Sequence, residues 1–144
     1  MTNARSTKRT AAVSSIVVDA SAAIELLLQR VAAPAVADVV DRSALLAPAT
    51  LDGEVLSVIR RLWLRGDVTE RRASDALDDL AQMPVERVPV APLLGTAWSL
   101  RSSVSAPDAL YVALARALDC PLVTLDRRLA GAPGLGITVV VPSR

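Results

Sequence analysis

The feature that most constrains this chain is the spacing of its short aliphatic runs. Residues 15–18 (SIVV), 45–48 (LLAP), 85–90 (VERVPV), 121–126 (PLVTLD) and 137–141 (ITVVV) read as strands, with Pro89 limiting the pairing of the third. Helical stretches separate them. The first covers 21–30 with Ser21 as N-cap, and the second runs from Pro34 to about Arg42. Thr50 caps a third that reaches Leu64 and stops at Gly66, and Thr69 opens a fourth that ends near Met83. Further helices fall near 93–102 and at 105–119, with a short turn at 127–131. Strands joined by crossovers of about ten residues or more pair in parallel, because a tight hairpin serves only antiparallel neighbours. The pattern predicts an α/β fold with a central parallel sheet and helices on both faces. One domain over 14–144 is expected, after a polar, mobile tail at 1–13.

Composition narrows the chemistry. The 144 residues are 52% apolar with no Phe, so Leu, Val, Ile and Ala must build the core. Trp63, Trp98 and Tyr111 are the only aromatics, which leaves few rings to stack on bases; a nucleic acid would be held through its phosphates. Net charge is +1, and every basic residue except Lys8 is Arg, the side chain best shaped for phosphate. Histidine is absent, which removes Ser-His-Asp triads, Cys-His pairs and His-containing zinc sites. With Cys120 alone, no internal disulfide forms, and a reducing cytoplasm is the expected compartment. No apolar run approaches the roughly 18–20 residues of a membrane span, so no membrane association is expected. Arg5, Lys8 and Arg9 faintly suggest a signal peptide, but Asp19 and Glu25 interrupt the apolar stretch that follows and a cleavage site is lacking.

A hydrolase made from such a chain must work with carboxylates, hydroxyls, Arg and a metal, and acids fall at the seams between elements. Asp19 closes the first strand and Asp126 the fourth; ligands of open α/β sheets bind beyond those strand ends. Read singly, Asp19 is as readily a turn or cap acid as a ligand. Asp108 lies in the first turn of the buried helix, on an apolar stripe with Val112 and Ala115, where a charge needs a partner. Glu54 projects to the edge of a helix face made by Leu51, Val55, Val58, Ile59 and Leu62, with Asp52 as its rival on the other edge. Four carboxylates gathered without His or Lys would repel one another, and an oxygen-liganded Mg2+ or Mn2+ would resolve the conflict. Ser21 and Thr124, each two residues from a strand-end acid, are candidates to support that site.

The segments VVDASAAIELLL, ATLDGEVLSVIRRL, SAPDALYVALARAL and PLVTLDRRLA resemble the four motifs of the PIN-domain ribonucleases, most closely the VapC toxins of bacterial toxin–antitoxin pairs. The resemblance spans about residues 15–141. It implies a three-layer α/β/α sandwich and metal-dependent endonucleolytic cleavage of RNA. Carried over residue by residue, it assigns Asp19, Glu54, Asp108 and Asp126 to catalysis, with Asp19, Asp108 and Asp126 on the metal and Ser21 and Thr124 at the hydroxyl positions. It also implies a homodimer and an antitoxin whose C-terminal segment lies in a groove near the site. Two departures are Pro107, where relatives often carry a bulky residue, and the tail at 1–13.

Arg116, Arg127 and Arg128 are candidates to steer an RNA strand. The consecutive Leu62, Trp63 and Leu64 cannot all face one core, so an apolar groove between helices 50–65 and 69–83 is expected. Two rival readings stand beside the nuclease. One is the same fold with a vestigial site, acting by association alone. The other is a haloacid-dehalogenase-like phosphatase with Asp19 as nucleophile, which would need a second acid where Ser21 stands.

Overall fold

The computed structural model describes residues 13–143; of the expected tail, 1–12 lie outside the described residues and Val13 is exposed. Five strands form one parallel sheet: β1 (Ser15–Val18), β2 (Ala44–Pro48), β3 (Val85–Val88), β4 (Leu122–Val123) and β5 (Val139–Val140), in the order β3-β2-β1-β4-β5. The helices are α1 (Ala20–Leu27), α2 (Ala33–Val40), α3 (Leu51–Leu64), α4 (Glu70–Gln82), α5 (Leu94–Ser99), α6 (Ala106–Leu118) and α7 (Arg127–Ala130), with a 3-10 turn at Ala91–Leu93 before α5. From β1 the chain steps outward to β2 and β3, then returns across the sheet to β4 and β5. Right-handed crossovers that travel in opposite directions put their helices on opposite faces. Thus α1 to α4 pack with one another on one side, while α6 lies against β1, β2 and β4 on the other and carries α5. This is the three-layer sandwich that the resemblance implies.

The central strands are apolar on both faces because both are covered. Val17, Val18, Leu122 and Val123 are fully buried, and α6 adds Tyr111, Val112, Leu114 and Ala115 to the same core. The two strands after the crossover, β4 and the edge strand β5, are shorter than their sequence suggests. The fourth run pairs only at Leu122–Val123 and the fifth only at Val139–Val140, matched Leu122↔Val139 and Val123↔Val140. Thr124 and the residues after it leave the ladder for side-chain contacts described below. Of the three consecutive apolar residues, Leu62 is buried while Trp63 and Leu64 are exposed. Trp63, Leu56 and Leu77 line a hollow of 320 Å³ between α3 and α4, where the groove is expected.

Three helices end in the same way, and two of them lack the residue that usually announces it. At α3 the Gly66 N–H donates to the Trp63 carbonyl and the Asp67 N–H to the Leu62 carbonyl, with Gly66 at φ 78°. This is the paired 6→1 and 5→2 closure of a left-handed C-terminal cap. The same pair of bonds closes α1 around Gln29 (φ 50°) and α6 around Asp119 (φ 48°). The first helix therefore stops at Leu27 and not at residue 30, and Arg30 sits on a turn fixed by its own N–H bond to the Glu25 carbonyl, 3.0 Å. A side chain in this conformation costs roughly 1–2 kcal/mol, against about 0.5–1 kcal/mol for the extra chain entropy of glycine. Gln29→Gly is expected to raise unfolding free energy by about 0.5 kcal/mol or more, read as a higher urea midpoint at unchanged slope; a lower midpoint would contradict the assigned strain.

Candidate active site

The strand order reverses between β1 and β4, and a doubly wound sheet opens its ligand crevice at that seam. Val18 and Val123 are paired across it, so the next residues out, Asp19 and Thr124, meet over the carboxyl edge. Asp19 is only 5% exposed and Thr124 is fully buried. The Thr124 hydroxyl donates to Asp19 Oδ2, and the Ser21 hydroxyl donates to Asp19 Oδ1 at 2.6 Å. The Ala22 N–H also donates to Oδ1, at 3.0 Å. Each hydroxyl has spent its one hydrogen on Asp19, so each serves as acceptor elsewhere: Ser21 takes the Leu125 N–H at 2.9 Å and Thr124 the Asp126 N–H at 3.0 Å.

This corrects the expected role of Ser21. Asp19 is the N-cap of α1, through Ala22, and Ser21 is already inside the helix. A carboxylate takes the cap because its backbone is extended at the strand exit, whereas Ser21 is free to reach across to β4. Thr124 likewise orients the carboxylate of Asp19, while toward Asp126 it holds only the backbone N–H.

The remaining acids arrive from other elements. Glu54, half-buried on α3, accepts a hydrogen bond from the Tyr111 hydroxyl of α6 at 3.1 Å. Its rival Asp52 is committed elsewhere, to Arg87 of β3 at 3.0 Å. Thr50 holds the N-cap position of α3, but its hydroxyl makes no capping bond. Asp108 is half-buried in the first turn of α6, where its N–H donates to Ser105, the helix cap. Asp126 caps α7 by accepting the Arg128 N–H at 2.9 Å, and the Arg128 guanidinium stands 3.7 Å from the same oxygen. Asp108, Asp126 and Arg128 line one hollow of 280 Å³. Glu54 lines another, of 680 Å³, with Ala20, Pro107, Leu110 and Arg61.

Electrostatics join three of the acids. Burial pushes the Asp19 carboxyl above its ordinary value against the pull of Ser21, Thr124 and Ala22, and the charge of Asp108 adds to the rise. Burial also raises Glu54; the Tyr111 bond opposes this, and the charges of Asp108 and Asp19 reinforce it. Burial and the Glu54 charge hold Tyr111 far above the range in which it would ionise, so it remains a donor. Among the described residues no Arg pairs with Asp19, Glu54 or Asp108. Nor do three acids there converge tightly enough to enclose an ion as they stand. Asp126 is turned to Arg128. The donor set is oxygen-only, mutually repelling and short of cations, which fits a hard divalent ion.

Sequence reasoning missed Tyr111 as the partner of Glu54, and it named Arg128 for RNA and not as the neighbour of Asp126. Tyr111 lies three residues after Asp108, on the same side of α6, and that spacing was the available signal. Arg116 is not free to steer a substrate: its guanidinium donates to the carbonyls of Leu135 and Gly134 and so fixes the loop before β5.

Residues 16–135 match the PIN domain, and the chain belongs to the PIN-domain family. Among curated proteins it is similar to Ribonuclease VapC1 of Mycobacterium tuberculosis, 45% identical over 121 residues that cover 83% of this chain and 91% of that one. The fold is shared with the crystal structure of M. tuberculosis VapC20, described as a sarcin–ricin loop cleaving toxin, at TM-score 0.63 and 19% identity over 81% of this chain and 95% of that one. It is shared too with VapBC2 of Rickettsia felis, solved bound to a DNA fragment from their promoter, at TM-score 0.65 and 10% identity over 90% and 99%.

A carboxyl that titrates higher when folded binds its proton more tightly in the native state, so stability is lost as pH rises. The metal-free protein is therefore expected to lose stability from the ordinary values of 3.8 and 4.5 upward, through the raised values of Asp19 and Glu54. Urea unfolding in EDTA at about pH 5 and pH 7.5 checks this. The parent should be the less stable at the higher pH, and Asp19→Asn should lose less over the same interval.

Proposed function

We propose that this chain is a metal-dependent endoribonuclease, the toxin of a toxin–antitoxin pair. The observation that carries the reading is the electrostatic coupling of buried Asp19 with half-buried Glu54 and Asp108, none of them paired with an Arg among the described residues, at the switch point of a PIN domain. Its 45% identity to a named ribonuclease supports the substrate class. Asp19, Asp108 and Asp126 would hold Mg2+ or Mn2+, with Glu54 at a second site or positioning water. When bound, the ion supplies positive charge to the phosphate oxygens and lowers the pKa of water at the site.

The protein's own part is positioning. Ser21 and Thr124 fix both oxygens of Asp19, so its outward lone pairs keep one direction. Tyr111 occupies Glu54 Oε2 and leaves Oε1 free to accept a proton from the attacking water, a task suited to a carboxyl held above its ordinary pKa. Water attacks phosphorus, the P–O bond to the leaving ribose oxygen breaks, and that oxygen takes up a proton.

Asp19→Asn is expected to abolish RNA cleavage as completely as EDTA does. Removing the supporting hydroxyl in Thr124→Val should cost about 10–100-fold, as losses of ligand-orienting groups do. Cleavage equal in the parent, in Asp19→Asn and in EDTA would remove the metal-nuclease reading and leave the association module. Asp52 and Glu54 provide a second comparison: Glu54→Gln should slow cleavage at least about tenfold, whereas Asp52→Ala, which breaks only a half-exposed ion pair, should change it less than twofold. Equal losses would mean that the pairing with Arg87 does not set the two acids apart.

The partner assignments rest on the relatives and on one surface. The hollow between α3 and α4, with Trp63 and Leu56 exposed on its rim, is the proposed seat of the antitoxin. A homodimer and a cytoplasmic location complete the reading. No helix of the described residues is long and apolar enough to cross a membrane.

A further inference from the structure

Residues 125–128 form a wall between two hollows at the carboxyl edge. Asp126 and Arg128 line the hollow that holds Asp108, and Leu125 and Arg127 line its neighbour, of 630 Å³. The alternation follows from the extended backbone before α7, with Asp126 at φ −83° and ψ 103°, where successive side chains point to opposite sides. The second hollow also contains Arg30 and is floored by the exit of β5, Val141 to Ser143. Neither Arg30 nor Arg127 makes a side-chain hydrogen bond or ion pair among the described residues, whereas Arg116, Arg87 and Arg72 are each spent on carbonyls or an acid.

Arg30 is also held in place. The turn that carries it is closed by three backbone bonds, from Leu28, Gln29 and Arg30 back to α1. Glu25, the one acid of the hollow, accepts the Ala32 N–H at 2.7 Å and so pins the far side of the same turn. Arg72 donates to the Leu28 carbonyl from α4. A guanidinium on so fixed a base loses little backbone entropy when it meets an anion.

Building on the nuclease reading, we propose that Arg30 and Arg127 form a phosphate subsite. It receives the RNA strand as it passes from the carboxylates over the ends of β4 and β5, and its ligand is a run of backbone phosphodiesters. Arg127 takes the phosphate nearer the cut and Arg30 the one beyond. The subsite reads no base and sets how much flanking strand is needed for tight binding.

The test uses the full chain and a fluorescein-labelled single-stranded RNA of about a dozen nucleotides, long enough to reach past two phosphates, bound in EDTA across a KCl series. Each phosphate contact on a single strand contributes about 0.7 to the slope of log K against log salt, so Arg30→Gln/Arg127→Gln should flatten it by about 1.4. Arg30→Lys/Arg127→Lys should keep most of the slope. Arg65→Gln, at the far end of α3 and paired with Asp67, should leave it unchanged. Inorganic phosphate at matched ionic strength should displace no more RNA than chloride does; stronger displacement would make this a site for free phosphate and overturn the proposal. An unchanged slope in the Gln pair, an equal loss in Arg65→Gln, or no RNA binding by the parent would also overturn it. Cleavage with Mg2+ is followed in parallel. Cleavage with an unchanged slope sinks the subsite alone; a flattened slope without cleavage by the parent supports the subsite and sinks the nuclease reading.

Discussion

The site depends on the burial of a carboxylate between two strands that the chain makes more than a hundred residues apart. Asp19 is almost wholly removed from water at the seam of β1 and β4, with no counter-ion beside it. An ionised group so placed costs several kcal/mol. Bonds to the charged form from Thr124, Ser21 and the Ala22 N–H offset part of that cost, and the carboxyl still titrates above its ordinary value. The arrangement does more than tolerate the charge. The two hydroxyls accept the backbone N–H groups of Leu125 and Asp126, so the carboxylate, the end of β4 and the placement of the next acid form one hydrogen-bonded unit.

Around this unit the other acids are held in different ways. Glu54 is tied through Tyr111 to the helix that carries Asp108, so α3 and α6, on opposite faces of the sheet, are linked across its edge. Asp126 is more loosely kept. Its carboxylate caps a one-turn helix and lies beside an exposed Arg128. Asp19 and Glu54 are thus held by hydrogen bonds, Asp108 is placed by its helix turn, and Asp126 alone has an Arg beside it.

Much of this was legible in the sequence, for particular reasons. Strand–helix alternation dictated a parallel sheet, and acids directly after aliphatic runs had to lie along its carboxyl edge. Strand order was not legible: nothing local to Leu122 or Val123 says that they pair with β1 and not with β3, so the switch point appeared only in three dimensions. Helix ends were readable at Gly66 and Asp119 and not at Gln29, where a side chain occupies a backbone conformation that glycine would signal. The Asp52–Glu54 ambiguity also needed tertiary contacts, because Arg87 lies on a strand 35 positions from Asp52. Ser21 was misread as a cap since local rules reward a hydroxyl before a helix, and the competing partner, Leu125, lies 104 residues away.

The position of β4 has a consequence for the life of the molecule. Translation delivers Asp19 and Glu54 long before Pro121 to Asp126 emerge, and until then the first acid has neither its neighbouring strand nor the hydroxyl of Thr124. A nascent or prematurely terminated chain therefore carries these carboxylates without the strand that gathers them. Assembly of the site waits on the fourth strand, however early its first acid is made.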